Sequence, residues 1–156
     1  MQSPHRPGAG MPNFGPWKYT ADRDSTILAY RRTACGGADT CNCAGCRNFR
    51  LARAASLPTE FLALLDTLGI DSRKDAEVYH NARLAPGRHD YGGWYHFVGT
   101  LDQSEDSPPV DLGGGFSAWM CHASAPSLPS LEGMKVVQVN FHAEAVPWWL
   151  NEPEIM

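Results

Sequence analysis

The sequence contains no run of 18 apolar residues, so a transmembrane helix is not expected. It also shows no hydrophobic stretch of the signal-peptide kind near its start, where residues 1–16 are instead rich in proline and glycine. That composition is typical of a flexible N-terminal arm and not of a targeting segment. We therefore predict a cytoplasmic protein with a single folded domain over residues 17–156.

Several enzyme signatures are also missing. The chain has no G-x-S-x-G elbow and no H-E-x-x-H metal motif, which are typical of hydrolases. The glycines at 113–115 precede a predicted strand, whereas a phosphate-binding loop leads into a helix. A binding function is therefore a better expectation than an enzyme.

Cysteine is the residue that the sequence concentrates in one place. Four of its five cysteines, Cys35, Cys41, Cys43 and Cys46, follow the spacing C-x5-C-x-C-x2-C. Thiolates grouped in this way are typical ligands of Zn²⁺, which takes four ligands at tetrahedral corners. Gly36 and Gly37 can let Cys35 fold back onto the same ion. Because four cysteines would close the coordination sphere, we predict a structural zinc site and not a catalytic one.

Other interpretations of the cysteines stay open at this point. A disulfide framework is disfavoured in a cytoplasmic protein, and the spacing matches neither ferredoxin pattern of iron–sulfur proteins. A redox or nucleophilic thiol at Cys43 or Cys46 is a third alternative. The tight Cys41/Cys43 pair is unusual for zinc, so Cys121 or His122 can instead supply a distant ligand.

The charges are unevenly distributed, although the net charge is only −4. From Arg23 to Arg53 the chain has six arginines and two acidic residues, whereas 14 acidic and five basic residues follow from Ala54 onward. A basic segment around the cysteines suggests an alternative function as an adaptor for nucleic acid or another polyanion. The candidate residues for that patch are Arg31, Arg32, Arg47, Arg50 and Arg53.

Two helices are expected to precede a sheet. One begins at the cysteines and runs through Phe49, and the other follows Pro58 and ends before Gly69, a residue suited to a left-handed C-terminal position. The stretch from Thr26 to Thr33 favours a strand. Alternating segments at 76–84, 93–101, 115–122 and 134–142 predict about four antiparallel strands. The predicted fold class is α+β, with a cysteine-rich metal knuckle and two helices packed on that sheet.

Histidine and aromatic residues mark one face of the predicted sheet as a possible ligand site. Alternation along the strands places imidazole, indole and amide groups together, and such a set can bind a protein partner or a small ligand. A histidine-dependent enzyme, with His96 or His142 as a general base and Asn140 orienting it, is the competing hypothesis. The candidate residues for this face are His80, Trp94, His96, Asn140 and His142.

Four motifs together resemble those of a family of small uncharacterised bacterial proteins. They are Cys41-Asn-Cys43-x-x-Cys46-Arg-Asn-Phe49, Leu68-Gly-Ile-Asp71, Tyr91-Gly-Gly-Trp-Tyr-His-Phe-Val-Gly99 and Pro147-Trp148. The resemblance runs from about residue 26 to the end of the chain, and the cysteine motif is its most specific part. It implies a compact bacterial domain with a cysteine cluster, and it assigns no catalytic residue.

Overall fold

Four helices and seven strands make up the computed structural model, which describes residues 11–102 and 107–156. The helices are α1 (Arg23–Arg31), α2 (Gly37–Thr40), α3 (Ala44–Ser56) and α4 (Thr59–Leu68). The strands are β1 (Asn13–Phe14), β2 (Trp17–Ala21), β3 (Glu77–Ala85), β4 (Arg88–Leu101), β5 (Val110–Gly113), β6 (Phe116–His122) and β7 (Val136–Pro147). All paired strands are antiparallel, in the order β1-β2-β4-β7-β6-β5, with β3 beside the first half of β4.

The α+β class is confirmed, but the expected sheet of about four strands is wrong, since the sheet has seven. The strands that were not expected are β1, β2 and β5, which have two, five and four residues. Segments of that length are too short to show a clear alternation of polar and apolar residues. β4 is also longer than predicted, because a turn at Pro86 and Gly87 is all that separates it from β3.

The number of helices was underestimated too, because the segment around Thr26 is a helix and not the expected strand. Asp22 caps α1, with its carboxylate accepting from the backbone N–H of Ser25 at 3.0 Å and from the Ser25 hydroxyl at 2.7 Å. Thr26 and Tyr30 then face the edge of β4 that neither β2 nor β3 covers. The Tyr30 hydroxyl donates to the carbonyl of His96 at 2.7 Å, and the Thr26 hydroxyl accepts from the N–H of Val98 at 2.9 Å. These tertiary bonds, rather than local propensity, place the helix there.

The helix predicted after Pro58 is confirmed. α4 begins at Thr59, directly after Pro58, and ends at Leu68, before Gly69, whose φ is +86°. The N–H of Ile70 then bonds to the carbonyl of Leu65 at 2.9 Å, as expected for a helix that ends in a left-handed glycine. Phe61 and Leu65 are fully buried, because this face of α4 lies on the sheet.

One hydrophobic core lies between the helices α3 and α4 and one face of the sheet. Phe141 of β7 is at its centre, with ring centroids of Phe49, Phe61, Tyr95 and Phe116 between 5.8 and 6.1 Å away. We call this side of the sheet the core face and the opposite side the outer face. The segment 123–131 folds over part of the outer face, where Leu128 and Leu131 are buried.

The two ends of the chain differ in what can be described. Residues 1–10 of the predicted N-terminal arm lie outside the described residues, while Asn13 and Phe14 pair with Lys18 and Trp17 in a small hairpin. In the described part of the chain, no helix combines the length and the apolar character needed to cross a membrane.

Candidate metal centre and sheet face

The short connection between α2 and α3 brings three of the four clustered cysteines together. Cys41 follows the last residue of α2, Cys43 caps the start of α3, and Cys46 lies in the first turn of α3. Their Sγ atoms all lie within 4.8 Å of one another, and those of Cys41 and Cys43 are 3.2 Å apart. Three sulfurs in this arrangement can hold a metal ion.

The three thiols differ in environment. The pKa of Cys41 is lowered, first by the backbone N–H of Cys43 and then by the thiols of Cys43 and Cys46. Burial, followed by the two neighbouring sulfurs, raises the pKa of Cys46 above its ordinary value. Cys43 is exposed, and its Sγ accepts from the N–H of Cys46 at 3.4 Å, at the N-terminal end of α3. A metal ion binding all three sulfurs would therefore have to displace the proton of Cys46.

Cys35 is not part of this group. It is exposed and lines a separate cavity of about 440 Å³, together with Thr33, Leu128 and Ser130. The α2 turn separates it from Cys41. Gly36 and Gly37 do not serve to fold Cys35 back. They allow close packing instead, since a Cβ at Gly36 would lie 2.6 Å from the backbone nitrogen of Asp75.

The distant alternative ligands are also separate from the three sulfurs. Cys121 lies on β6 opposite Gln138, and its Sγ accepts from the Asn140 amide at 3.2 Å. His122, the last residue of β6, is exposed. Gln138 and Asn140 belong to the outer face, whereas α3 packs on the core face through Phe49.

A buried carboxylate that the sequence analysis did not identify holds α2 in place. Asp75 is fully buried, accepts from the N–H of Ala38 at 3.1 Å, and pairs with Arg53 at 3.3 Å. Its backbone carbonyl accepts from the N–H of Gly37 at 2.8 Å. Burial raises the pKa of Asp75, and Arg53 opposes that rise. The position of Cys41 therefore depends on a residue more than thirty positions further along the chain, which no local spacing could have indicated.

The three arginines of α3, Arg47, Arg50 and Arg53, all have partners within the chain. Arg47 forms a two-pronged ion pair with Glu152 and donates to the carbonyl of Asn42 at 2.9 Å. Arg50 donates to the carbonyls of Ala38 and Asp39 at the end of α2, at 3.0 and 2.9 Å. With Arg53 bonded to Asp75, this side of α3 ties α2 and the C-terminal segment together. Arg31 and Arg32, at the end of α1, are exposed.

The C-terminal segment closes over the start of α3. Asn48 is fully buried, and its carbonyl oxygen accepts from the N–H groups of Trp149 and Leu150 at 2.7 and 3.1 Å. Its amide donates to the carbonyl of Pro147 at 3.0 Å. Asn48 is the asparagine of the Cys-x-Asn-Phe motif. These hydrogen bonds give that asparagine a structural role, which is to hold the C-terminal segment against α3.

Four of the five predicted face residues lie together, and His80 does not. Trp94 is opposite Asn140, His96 is opposite Gln138, and Gly92 is opposite His142, which places their side chains on the outer face. His80 is opposite Tyr91, a core-face residue, so it points to the other side. There its imidazole contacts His89 at 2.8 Å, and His89 in turn contacts Glu154 at 2.7 Å. Burial, followed by the charge of His89, lowers the pKa of His80.

The two outer-face histidines have different environments. His96 is fully buried, and its Nε2 lies 3.1 Å from the side-chain carbonyl of Gln138, whose amide donates to Asn140 at 2.8 Å. Burial lowers the pKa of His96. His142 is more exposed, and its Nε2 lies 2.7 Å from Asp90. His96 is therefore a packed residue of the fold, while His142 is accessible to a ligand.

Searches against protein-family models, curated proteins and solved structures gave no match for this chain.

Proposed function

We propose that this chain is a zinc-binding protein in which Zn²⁺ at Cys41, Cys43 and Cys46 fixes the junction of α2 and α3 on the sheet. The observation that supports it is the convergence of three Sγ atoms within 4.8 Å. Sulfurs bonded to one tetrahedral Zn²⁺ at about 2.3 Å lie about 3.8 Å apart, so only small movements are needed. Thiolate ligands favour zinc over the hard cations Mg²⁺ and Ca²⁺.

The metal would act mainly on stability. α2 has only four residues, which is too short for a helix to persist without tertiary support. An ion that binds only the folded arrangement of sulfurs adds its binding free energy to folding, about 4 kcal/mol when free zinc exceeds its Kd a thousandfold.

Thermal unfolding with and without a chelator tests this proposal. Chelation should lower the Tm of the wild type, and the Cys43→Ser/Cys46→Ser variant should melt at the lower temperature in both conditions. The matched control is Cys35→Ser/Cys121→Ser, which removes two thiols outside the three-sulfur group and should keep the response to chelator. Equal melting of the wild type and the Cys43→Ser/Cys46→Ser variant, whether or not chelator is present, would contradict the proposal.

A second candidate function, binding of a small planar ligand at the outer face, is favoured by one arrangement of residues. Tyr79 lies across Gly92, since a Cβ there would meet the Tyr79 hydroxyl at 2.5 Å, and its ring is 6.1 Å from that of Trp94. The pair formed by His142 and Asp90 lies beside them, because His142 is the strand partner of Gly92. Aromatic rings next to a polar pair suit a flat ligand with hydrogen-bonding groups.

A ligand-observed NMR screen of planar aromatic fragments tests this second function. Hits that bind the wild type and are lost in Trp94→Ala would support it, whereas hits unaffected by that substitution would contradict it. The polyanion-binding alternative has less support, because Arg47, Arg50 and Arg53 are already bonded to groups of the chain. Oligonucleotide binding that weakens steeply with salt concentration would support the polyanion-binding alternative.

A further inference from the structure

We propose that the zinc at Cys41, Cys43 and Cys46 keeps one coordination position for a ligand from solution, and that this ligand is a small-molecule thiol. The inference rests on the proposed function, because it concerns the same ion. It differs from a closed structural site, which four cysteines of the chain would form.

The cluster supplies three protein ligands. Among residues 11–102 and 107–156, the group of ligand atoms close enough to share an ion contains three sulfurs and no fourth side chain. Three protein ligands with one exchangeable position is the arrangement of zinc sites that bind water or substrate.

Contacts at the start of α2 hold Cys35 away from the other three sulfurs. The N–H of Gly36 donates to the Asp39 carboxylate at 3.1 Å, and the N–H of Gly37 donates to the carbonyl of Asp75 at 2.8 Å. A Cβ at Gly37 would lie 2.6 Å from the carbonyl oxygen of Ala76, so the chain is in tight contact there. Bringing Cys35 to the other sulfurs would break these bonds and dismantle α2.

The site is open to solvent on one side and can accept a further negative charge. Cys46 is buried but Cys43 is exposed, so the ion would be covered by protein on one side and open to solution on the other. Zn²⁺ with three thiolates carries one negative charge, and a fourth thiolate adds another. The N-terminus of α3 lies on this side, and the positive end of its dipole offsets part of that charge.

The chemistry is a ligand exchange without oxidation or reduction. A thiol approaches the ion, its sulfur forms a bond to zinc, its proton passes to solvent, and a water molecule leaves the fourth position. Sulfur is favoured over oxygen because a site already made of thiolates is soft.

Zinc-edge X-ray absorption of the full-length protein, purified with a phosphine reductant, counts the sulfurs directly. We expect three sulfurs and one lighter atom at zinc in the protein alone, and four sulfurs after addition of 2-mercaptoethanol. Ethylene glycol, the matched compound with oxygen in place of sulfur, should change nothing. Cys35→Ser should behave like the wild type in every condition.

Two results would overturn the inference while leaving zinc binding intact. Four sulfurs before any thiol is added would mean that the site is already closed, by Cys35 if Cys35→Ser reduces the number to three and by a second copy of the chain if it does not. Three sulfurs that 2-mercaptoethanol leaves unchanged would mean that an oxygen or nitrogen ligand of the protein closes the site. Absence of bound zinc would instead refute the proposed function itself.

Discussion

The side-chain carbonyl of Asn48 accepts a hydrogen bond from the backbone N–H of Trp149 at 2.7 Å, across a sequence separation of 101 residues. Asn48 lies two positions after the last cysteine of the cluster, and Trp149 lies in the segment that follows the final strand. The bond therefore fastens the C-terminal segment to the helix that begins at the cysteine cluster.

Replacing Asn48 by alanine should lower the free energy of unfolding by about 1–3 kcal/mol, because it removes the buried acceptor of the N–H groups of Trp149 and Leu150. Urea unfolding measures this loss. Asn42→Ala is the matched control, since Asn42 belongs to the same motif but is exposed, and it should change stability by no more than about 0.5 kcal/mol. Similar losses for both variants would show that the bonds of Asn48 contribute nothing particular.

Asp75 should matter to both stability and the metal. Asp75→Ala leaves the buried Arg53 with only the more distant carboxylate of Asp39, at 3.9 Å, so we expect a loss of about 3 kcal/mol in unfolding free energy. Because the same carboxylate holds the start of α2, zinc affinity should also fall when measured against a chromophoric chelator.

The control for Asp75 is Asp71→Ala, which removes the partner of the exposed Arg73 and should cost less than about 1 kcal/mol. It should leave zinc affinity unchanged. An Asp75→Ala protein with wild-type affinity for zinc would show that α2 does not position Cys41.

Acid should destabilise the fold through His96. Burial lowers its pKa below the ordinary 6.5, so the unfolded state takes up a proton at a higher pH than the folded state does. Stability from this source is therefore fully present above pH 6.5 and is lost as the pH falls through the folded pKa. The structural reason is that, with Nε2 bonded to Gln138, Nδ1 is buried with no partner in the described structure. Protonation would place an unpaired N–H there.

Unfolding free energies measured between pH 7 and pH 5 test this expectation. The wild type should lose stability over that range, and His96→Gln should lose less. The pKa of His80 is also lowered by burial. The dependence of unfolding free energy on pH should therefore be weaker in His96→Gln than in the wild type, but it should not disappear. If His96→Gln lost as much stability as the wild type between pH 7 and pH 5, His96 would not be a source of the acid sensitivity.

The parts of the fold that could be predicted are those with local signals. Pro58 and Gly69 marked the two ends of α4 because each fixes a backbone geometry by itself. β6 and β7 are seven and twelve residues long, and polar and apolar residues alternate from Val137 to Ala145 of β7, which is long enough for the pattern to be recognised.

The parts that could not be predicted depend on partners far along the chain. α1 forms because Tyr30 and Thr26 bond to the uncovered edge of β4. The side of the sheet on which His80 lies is set by the pairing of β3 with β4, which alternation within β3 alone does not reveal. The spacing of the cysteines predicted a cluster, and three of the four do come together. Cys35 lies apart because Asp75 holds the start of α2, and the spacing alone does not indicate that contact.

The most direct test of the account is the zinc content of the purified, untagged protein, measured by elemental mass spectrometry beside a Cys41→Ser/Cys43→Ser/Cys46→Ser variant. We expect about one zinc ion per wild-type chain and none in the variant. We also expect a thiol reagent to react with the wild-type cluster only after chelation. A wild-type protein that contains no metal and whose cluster thiols react at once would contradict it.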